Sequence, residues 1–171
     1  MKSLFVAVPL LLHTALFAQP DTLWVPTNGV VVPHPVVYEP VRMDAQYKRI
    51  GKFASDTGKV AVSMDYKRGH ASGVYRAYYP DGRPLVFAVY GWDRPHGDWT
   101  EYDELGEIAL KGQYRSGLRD GTWSFRKEGV IGQYRKGAKH GKWKYYEGDI
   151  PVRTEKYKKD KLTRTRILGE R

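Results

Sequence analysis

His96 and His140 occupy the same place in a ten-residue pattern that recurs along the chain, and Asp120 fills that place between them. A column of such side chains is the first feature here with the chemistry to hold a metal ion. Its spacing argues otherwise. If each copy of the pattern is a β-hairpin, equivalent positions lie two strands apart, roughly 9–10 Å, whereas zinc ligands sit ~2 Å from the ion. Ser72 fills the same place in the first copy, and all four residues precede a glycine, so they are expected to form turns. His70 lies two positions earlier in its own copy and has no counterpart. Asp103 and Glu104 are adjacent, so in a strand they would face opposite ways, and a surface turn is expected instead of an acid/base pair. The chain has no cysteine, which excludes disulfides, thiolate metal sites, a cysteine nucleophile and a lipid-modified N-terminal cysteine. It has no Gly-x-Ser-x-Gly elbow, no phosphate-binding Gly-x-x-x-x-Gly-Lys loop and no His-Glu-x-x-His. No catalytic residue, metal site or cofactor is expected, and the protein reads as a non-enzyme.

Charge offers a second chemistry. The formal net charge of +10 is concentrated in the last third: residues 1–43 sum to zero, residues 44–110 to −1 and residues 111–171 to +11. There, Lys142, Lys144, Lys156, Lys158, Lys159 and Lys161 interleave with Trp143, Tyr145, Tyr146 and Tyr157. Basic and aromatic side chains together can bind a polyanion, so these six lysines are the candidate partner-binding residues. In Lys142 to Tyr146 the lysines alternate with Trp143 and Tyr145, which also fits an ordinary strand with one buried face.

The elements that would carry these residues follow from the repeat. YKRGHASGVY (Tyr66 to Tyr75), YGWDRPHGDW (Tyr90 to Trp99), YRSGLRDGTW (Tyr114 to Trp123) and YRKGAKHGKW (Tyr134 to Trp143) fit one frame, Tyr-x-x-[Gly/Asp]-x-x-[Ser/His/Asp]-Gly-x-[Trp/Tyr]. A fifth copy, YKKDKLTRTR from Tyr157, has Arg164 and Arg166 where the glycine and the aromatic stand. The repeat-defining residues are Tyr66, Tyr90, Tyr114 and Tyr134, Gly73, Gly97, Gly121 and Gly141, and Tyr75, Trp99, Trp123 and Trp143. GKF at Gly51 to Phe53 repeats the end of the frame ahead of the first full copy. A second turn signal falls midway in each unit, at Thr57-Gly58, Asp81-Gly82, Leu105-Gly106, Glu128-Gly129 and Glu147-Gly148. Between turns the chain alternates, as in Val60, Val62, Met64 and Tyr66. Period-two alternation predicts strands, and no window shows a capped helical period. Each unit is a β-hairpin, and its aromatic positions should line up in rows across a sheet. The frame glycines are expected at turn exits, or where a large aromatic needs room, in backbone conformations or contacts that a Cβ would disturb.

The frame resembles the MORN repeat, a short Gly- and Tyr-rich β-hairpin, and is similar to the bacterial MORN variant of the YwqK-family antitoxin group. The likeness covers about Tyr47 to Tyr157. It implies an all-β fold, an elongated antiparallel meander of about five stacked MORN-like hairpins. It also implies an antitoxin or immunity-type role as one functional expectation.

Met1 to Ala18 reads as a signal peptide, with Lys2 before an apolar run from Leu4 to Phe17 that is short for the ~20 residues of a bilayer span. Cleavage near Ala18 would export the protein to the periplasm, the outer surface or the medium. Residues 19–46 form a proline-rich arm or linker, expected to lie extended over the first repeat. Residues 47–162 form the repeat domain, and residues 163–171 continue as a basic strand or tail. The functional expectation is an exported binding module for a protein or envelope component. The alternatives are an anionic lipid or polysaccharide ligand for the basic third, and an immunity-type protein. Export makes nucleic acid an improbable partner.

Overall fold

The computed structural model describes residues 34–40, 42 and 44–169, so the expected signal peptide and most of the arm lie outside the described residues. Twelve strands follow one another: β1 (Val36–Tyr38), β2 (Gln46–Phe53), β3 (Asp56–Lys67), β4 (His70–Tyr78), β5 (Pro84–Gly91), β6 (Arg94–Tyr102), β7 (Ile108–Arg115), β8 (Leu118–Phe125), β9 (Val130–Arg135), β10 (Ala138–Glu147), β11 (Ile150–Lys158) and β12 (Lys161–Ile167). Spatial order equals chain order, so the described residues form one open sheet. There is no helix among the described residues. The all-β meander is as expected, with five frame hairpins from β3–β4 to β11–β12. Two further strands precede them.

One of these, β1, comes from the proline-rich arm. Pro35 and Pro40 flank it, and it pairs with β2 at the edge of the sheet, Val36 opposite Phe53 and Tyr38 opposite Gly51. Proline bars a central strand but tolerates an edge. At the other edge the last copy is a strand, with β12 paired to β11 as far as Ile167.

The tight turn of each frame is its third and fourth residues. φ is 51° and 80° at Arg68-Gly69, 51° and 63° at Trp92-Asp93, 51° and 82° at Ser116-Gly117, 53° and 84° at Lys136-Gly137, and 50° and 62° at Lys159-Asp160. Positive φ at both positions is the type I′ turn, whose twist matches that of the flanking strands. Successive turns are tied together. The backbone N–H groups of Asp93, Gly117, Gly137 and Asp160 donate to the carbonyls of Ala71, Pro95, Arg119 and Lys139 in the unit before, at 2.8–3.0 Å. Of the midway signals, Gly82, Gly106, Gly129 and Gly148 do fall at turns with positive φ. Thr57-Gly58 does not. The turn there is Ala54-Ser55, and Gly58 lies in β3, donating its N–H to Asp56 Oδ1 at 3.0 Å.

The frame glycines have positive φ: 128° at Gly73, 107° at Gly97, 73° at Gly121 and 68° at Gly141. They sit within strands and not at turn exits. Each marks a bulge. Lys111 faces Ser124 and Gln113 faces Asp120, so Gly121, Thr122 and Trp123 together oppose Gly112. The same two-residue excess occurs in β4, β6 and β10. A bulge bends the strand and re-aims the side chain that follows it. Here it turns Tyr75, Trp99, Trp123 and Trp143 into the core, none of them more than 3% exposed. The lead tyrosines pack between them. Ring centroids run Tyr75–Tyr90 6.2 Å, Tyr90–Trp99 6.4 Å, Trp99–Tyr114 5.2 Å, Tyr114–Trp123 5.0 Å, Trp123–Tyr134 6.1 Å and Tyr134–Trp143 5.1 Å. Most meet edge to face, the arrangement the ring quadrupoles prefer. Room for the indoles comes from elsewhere: a Cβ at Gly112 or Gly132 would stand inside the ring of Trp123 or Trp143.

Candidate binding face

Two of the frame positions with acid or imidazole side chains are structural. His96 Nδ1 accepts the Ser116 N–H at 3.2 Å, and Asp120 Oδ1 accepts the Lys136 N–H at 3.2 Å. Each therefore caps the turn of the next unit; neither forms its own. Where the turn carries Asp in place of Gly the reach is reversed. Asp93 Oδ1 accepts the Ala71 N–H and Asp160 Oδ1 the Lys139 N–H, both at 2.7 Å. His140 faces Gln133 across the strands, and Ser72 lies in β4. His70 Nδ1 is 2.6 Å from Asp93 Oδ2. That bond, with the one from Ala71, holds the Asp93 carboxyl below the usual carboxylate range. Asp103 Oδ1 accepts the N–H groups of Leu105 and Glu107 at 2.9 Å, the surface turn expected of it. Among the described residues no three of His, Asp and Glu are grouped to hold a metal ion.

The six candidate lysines are all exposed, and five of them share one face. Lys142 lies opposite Lys156, which lies opposite Arg164, a row of three cations over β10, β11 and β12. In the next row Lys144 faces Thr154 and Thr154 faces Arg166. Lys158 faces Lys161 beside the last turn. Lys159 stands apart, inside that turn. Directly opposed side chains have Cβ atoms ~4.5–5.5 Å apart, where like charges repel. Among the described residues none of these eight cations has an ion-pair partner, although cross-strand pairs occur elsewhere, as in Lys48 with Asp65 at 3.3 Å and Lys52 with Glu39 at 2.8 Å.

Trp143, Tyr145 and Tyr157 are on the other face, as the alternation predicted for the first two, whereas Tyr146 follows Lys144 by two residues and falls on the lysine side. Trp143 opposes Glu155, Tyr145 opposes Arg153 and Tyr157 opposes Leu162. Arg119 and Lys139 serve the aromatic side, with their charges 4.5 Å and 4.3 Å from the Trp123 and Trp143 ring centres. Glu155 closes that side. It accepts hydrogen bonds from the hydroxyls of Tyr145 at 2.5 Å and Tyr157 at 2.7 Å and pairs with Arg153 at 3.2 Å. Burial raises the Glu155 carboxyl, but the two phenols, Arg153 and Lys139 outweigh it, and its pKa lies below the usual value. The Tyr145 hydroxyl is pushed up, by burial first and then by Glu155.

Sequence reasoning missed three participants. Gly112 and Gly132 seat the indoles, and the signal was the repeated Gly-Gln-Tyr at 112–114 and 132–134. Glu155 takes the corresponding place opposite Trp143. No family model matches the chain, and no curated protein matches it.

Proposed function

We propose that the protein is an exported, non-enzymatic binding module that presents its long sheet to a protein or envelope partner. One observation carries this reading. Asp93, His96, Asp120 and Asp160 hydrogen-bond between repeats and the frame aromatics fill the core, while among the described residues a block of exposed cations over β10–β12 has no ion-pair partner. Extended repeat surfaces suit binding. The apolar run in Met1–Phe17 supports export. Affinity capture from envelope extracts should recover a stoichiometric partner, and a clean monomer under all conditions would count against the reading.

The cation block also supports a second reading, an anionic lipid or polysaccharide ligand. Such binding weakens steeply with salt, because screening sets in over ~8 Å at physiological ionic strength. Sedimentation with anionic liposomes should recover the wild type and lose Lys142→Glu/Lys144→Glu/Lys156→Glu; equal recovery of both sinks the idea. The resemblance to the antitoxin group keeps an immunity-type role in view. Cell fractionation discriminates, since an uncleaved cytosolic protein favours a plain antitoxin over an envelope partner, whereas an immunity-type role fits an exported one.

A further inference from the structure

The two edges of the sheet are unlike each other. β1 spans three residues between Pro35 and Pro40. β12 spans seven, all exposed, and is the last strand of the sheet, so one side of its backbone is unpaired among the described residues. The Leu168 N–H points inward to the Val152 carbonyl at 2.8 Å. Amides alternate sides along a strand, so the N–H groups of Thr165 and Ile167 point outward.

The side chains of β12 sort onto two faces. Lys161, Arg164 and Arg166 continue the basic rows of β10 and β11. Leu162 and Ile167, opposite Tyr157 and Arg153, lie on the aromatic side, 47% and 56% exposed. An incoming strand thus meets cations on one face and uncovered aliphatic groups on the other.

We infer that β12 is a docking edge for an extended peptide segment of a partner protein, one that alternates acidic and apolar residues and adds to the sheet as a thirteenth strand. The acids would face Arg164 and Arg166 and supply the counter-charge that the row Lys142–Lys156–Arg164 lacks among the described residues. The apolar residues would cover Leu162 and Ile167. Main-chain hydrogen bonds give such strand addition its affinity and alternate side chains its specificity. A second copy is a poor occupant. Antiparallel pairing of two β12 edges sets their cations against one another, and β1 is too short to receive β12. The inference rests on the protein-binding reading above and names its partner's chemistry.

The probe is a synthetic peptide as long as β12 that alternates Glu and Val, titrated into the full chain. Binding should protect the Thr165 and Ile167 amides from hydrogen exchange. Arg164→Glu/Arg166→Glu should weaken it about tenfold or more, from two cross-strand pairs lost and two repulsions gained. Thr165→Pro removes an outward donor without touching the bonds to β11. It should abolish binding while leaving the circular-dichroism melt unchanged. A peptide N-methylated at alternate nitrogens should not bind. Binding without protection at Thr165 and Ile167, or equal binding by heparin with the same salt dependence, would overturn the inference in favour of plain charge attraction. Protection of these amides in a self-associated chain without peptide would overturn it in favour of a second copy. If the peptide fails while envelope capture still yields a partner, the docking edge falls and the binding-module reading survives.

Discussion

Gly112→Ala isolates what the small residues opposite the indoles contribute. Gly112 has no positive φ, so alanine fits its backbone. At such a site the loss of unfolded-state entropy alone should stabilise the protein by about 0.4–1 kcal/mol. Against this, the new Cβ stands inside the ring of Trp123, which is fully buried. Overpacking of this kind costs about 1–3 kcal/mol. The ring is also held by its Nε1–H, which donates to the Gln113 carbonyl at 3.1 Å. In the unit before, Ala88 already stands opposite Trp99, and that indole donates instead to Glu101 Oε1 at 2.8 Å. The residue in Glu101's place beside Trp123 is Phe125, which cannot accept. An indole moved to the seat of Trp99 would leave a buried N–H unpaired, a further cost of about 1–3 kcal/mol.

The sum is a net loss of about 1–6 kcal/mol. At roughly 2–4 °C per kcal/mol for a chain of this size, melting should fall by at least a few degrees. Urea denaturation followed by tryptophan fluorescence gives the free energy. Hydrogen exchange should show the loss in β7 to β9 and spare β2 to β4, because stacked repeats couple to their neighbours. Gly112→Ala/Phe125→Glu rebuilds the arrangement of the earlier unit, so its loss should be smaller than the two single losses added. The reasoning is refuted if Gly112→Ala is as stable as the wild type or more so, because the entropic gain would then be unopposed.

Three further outcomes are expected. Gly121→Val places a β-branched residue at φ 73° and should cost about 1–3 kcal/mol, with exchange protection lost in the adjoining hairpins; uniform loss along the chain would indicate one cooperative core. Tyr75→Phe should raise the melting temperature, because the Tyr75 hydroxyl is buried without a hydrogen-bond partner among the described residues and its removal lifts a desolvation penalty; a lower melting temperature would reveal a partner for it. Stability should also depend on pH at both ends. Asp93 and Glu155 are depressed, so their contributions are full above the unfolded values of about 4 and disappear as pH falls through the folded ones. Tyr75, Tyr145 and Tyr157 are raised, so theirs are full below about pH 10 and disappear as pH rises. Asp93→Asn should flatten the acid limb, and an unchanged acid limb would show that its carboxylate plays no part.

The period, the alternation and the aromatic rows were legible in the sequence because each is a local property of one strand. What was not legible depends on which residue faces which. A glycine in a strand reads the same whether it bends a bulge, as Gly121 does, or lies under an indole, as Gly112 does. Only its φ and its cross-strand partner tell the two apart. The proline-rich arm hid β1 because its prolines exclude a central strand and say nothing of an edge. Lysines opposite Trp143 followed from alternation. The row Lys142–Lys156–Arg164 did not, because it depends on a register shift between Lys156 and Tyr157.

That shift also explains why the stack ends where it does. The four complete units gain two residues at the frame glycine; β12 gains one. Arg164 stands in the glycine's place without positive φ, and Arg166 in that of the tryptophan. With no bulge of full size there is nothing to aim a ring inward, and with no ring there is nothing for another unit to bury. The ring column stops at Tyr157, 5.9 Å from Trp143, and Glu155 with its two phenols and Arg153 closes the end with hydrogen bonds where apolar contact would otherwise continue. A terminal repeat must be polar outward to stay soluble, and cations on an open edge keep identical strands from adding to it. One pair of substitutions in the frame, arginine for glycine and arginine for the aromatic, thus ends the ring column and, on the inference drawn above, sets cations against a second copy while favouring acid over base in a strand that approaches the edge.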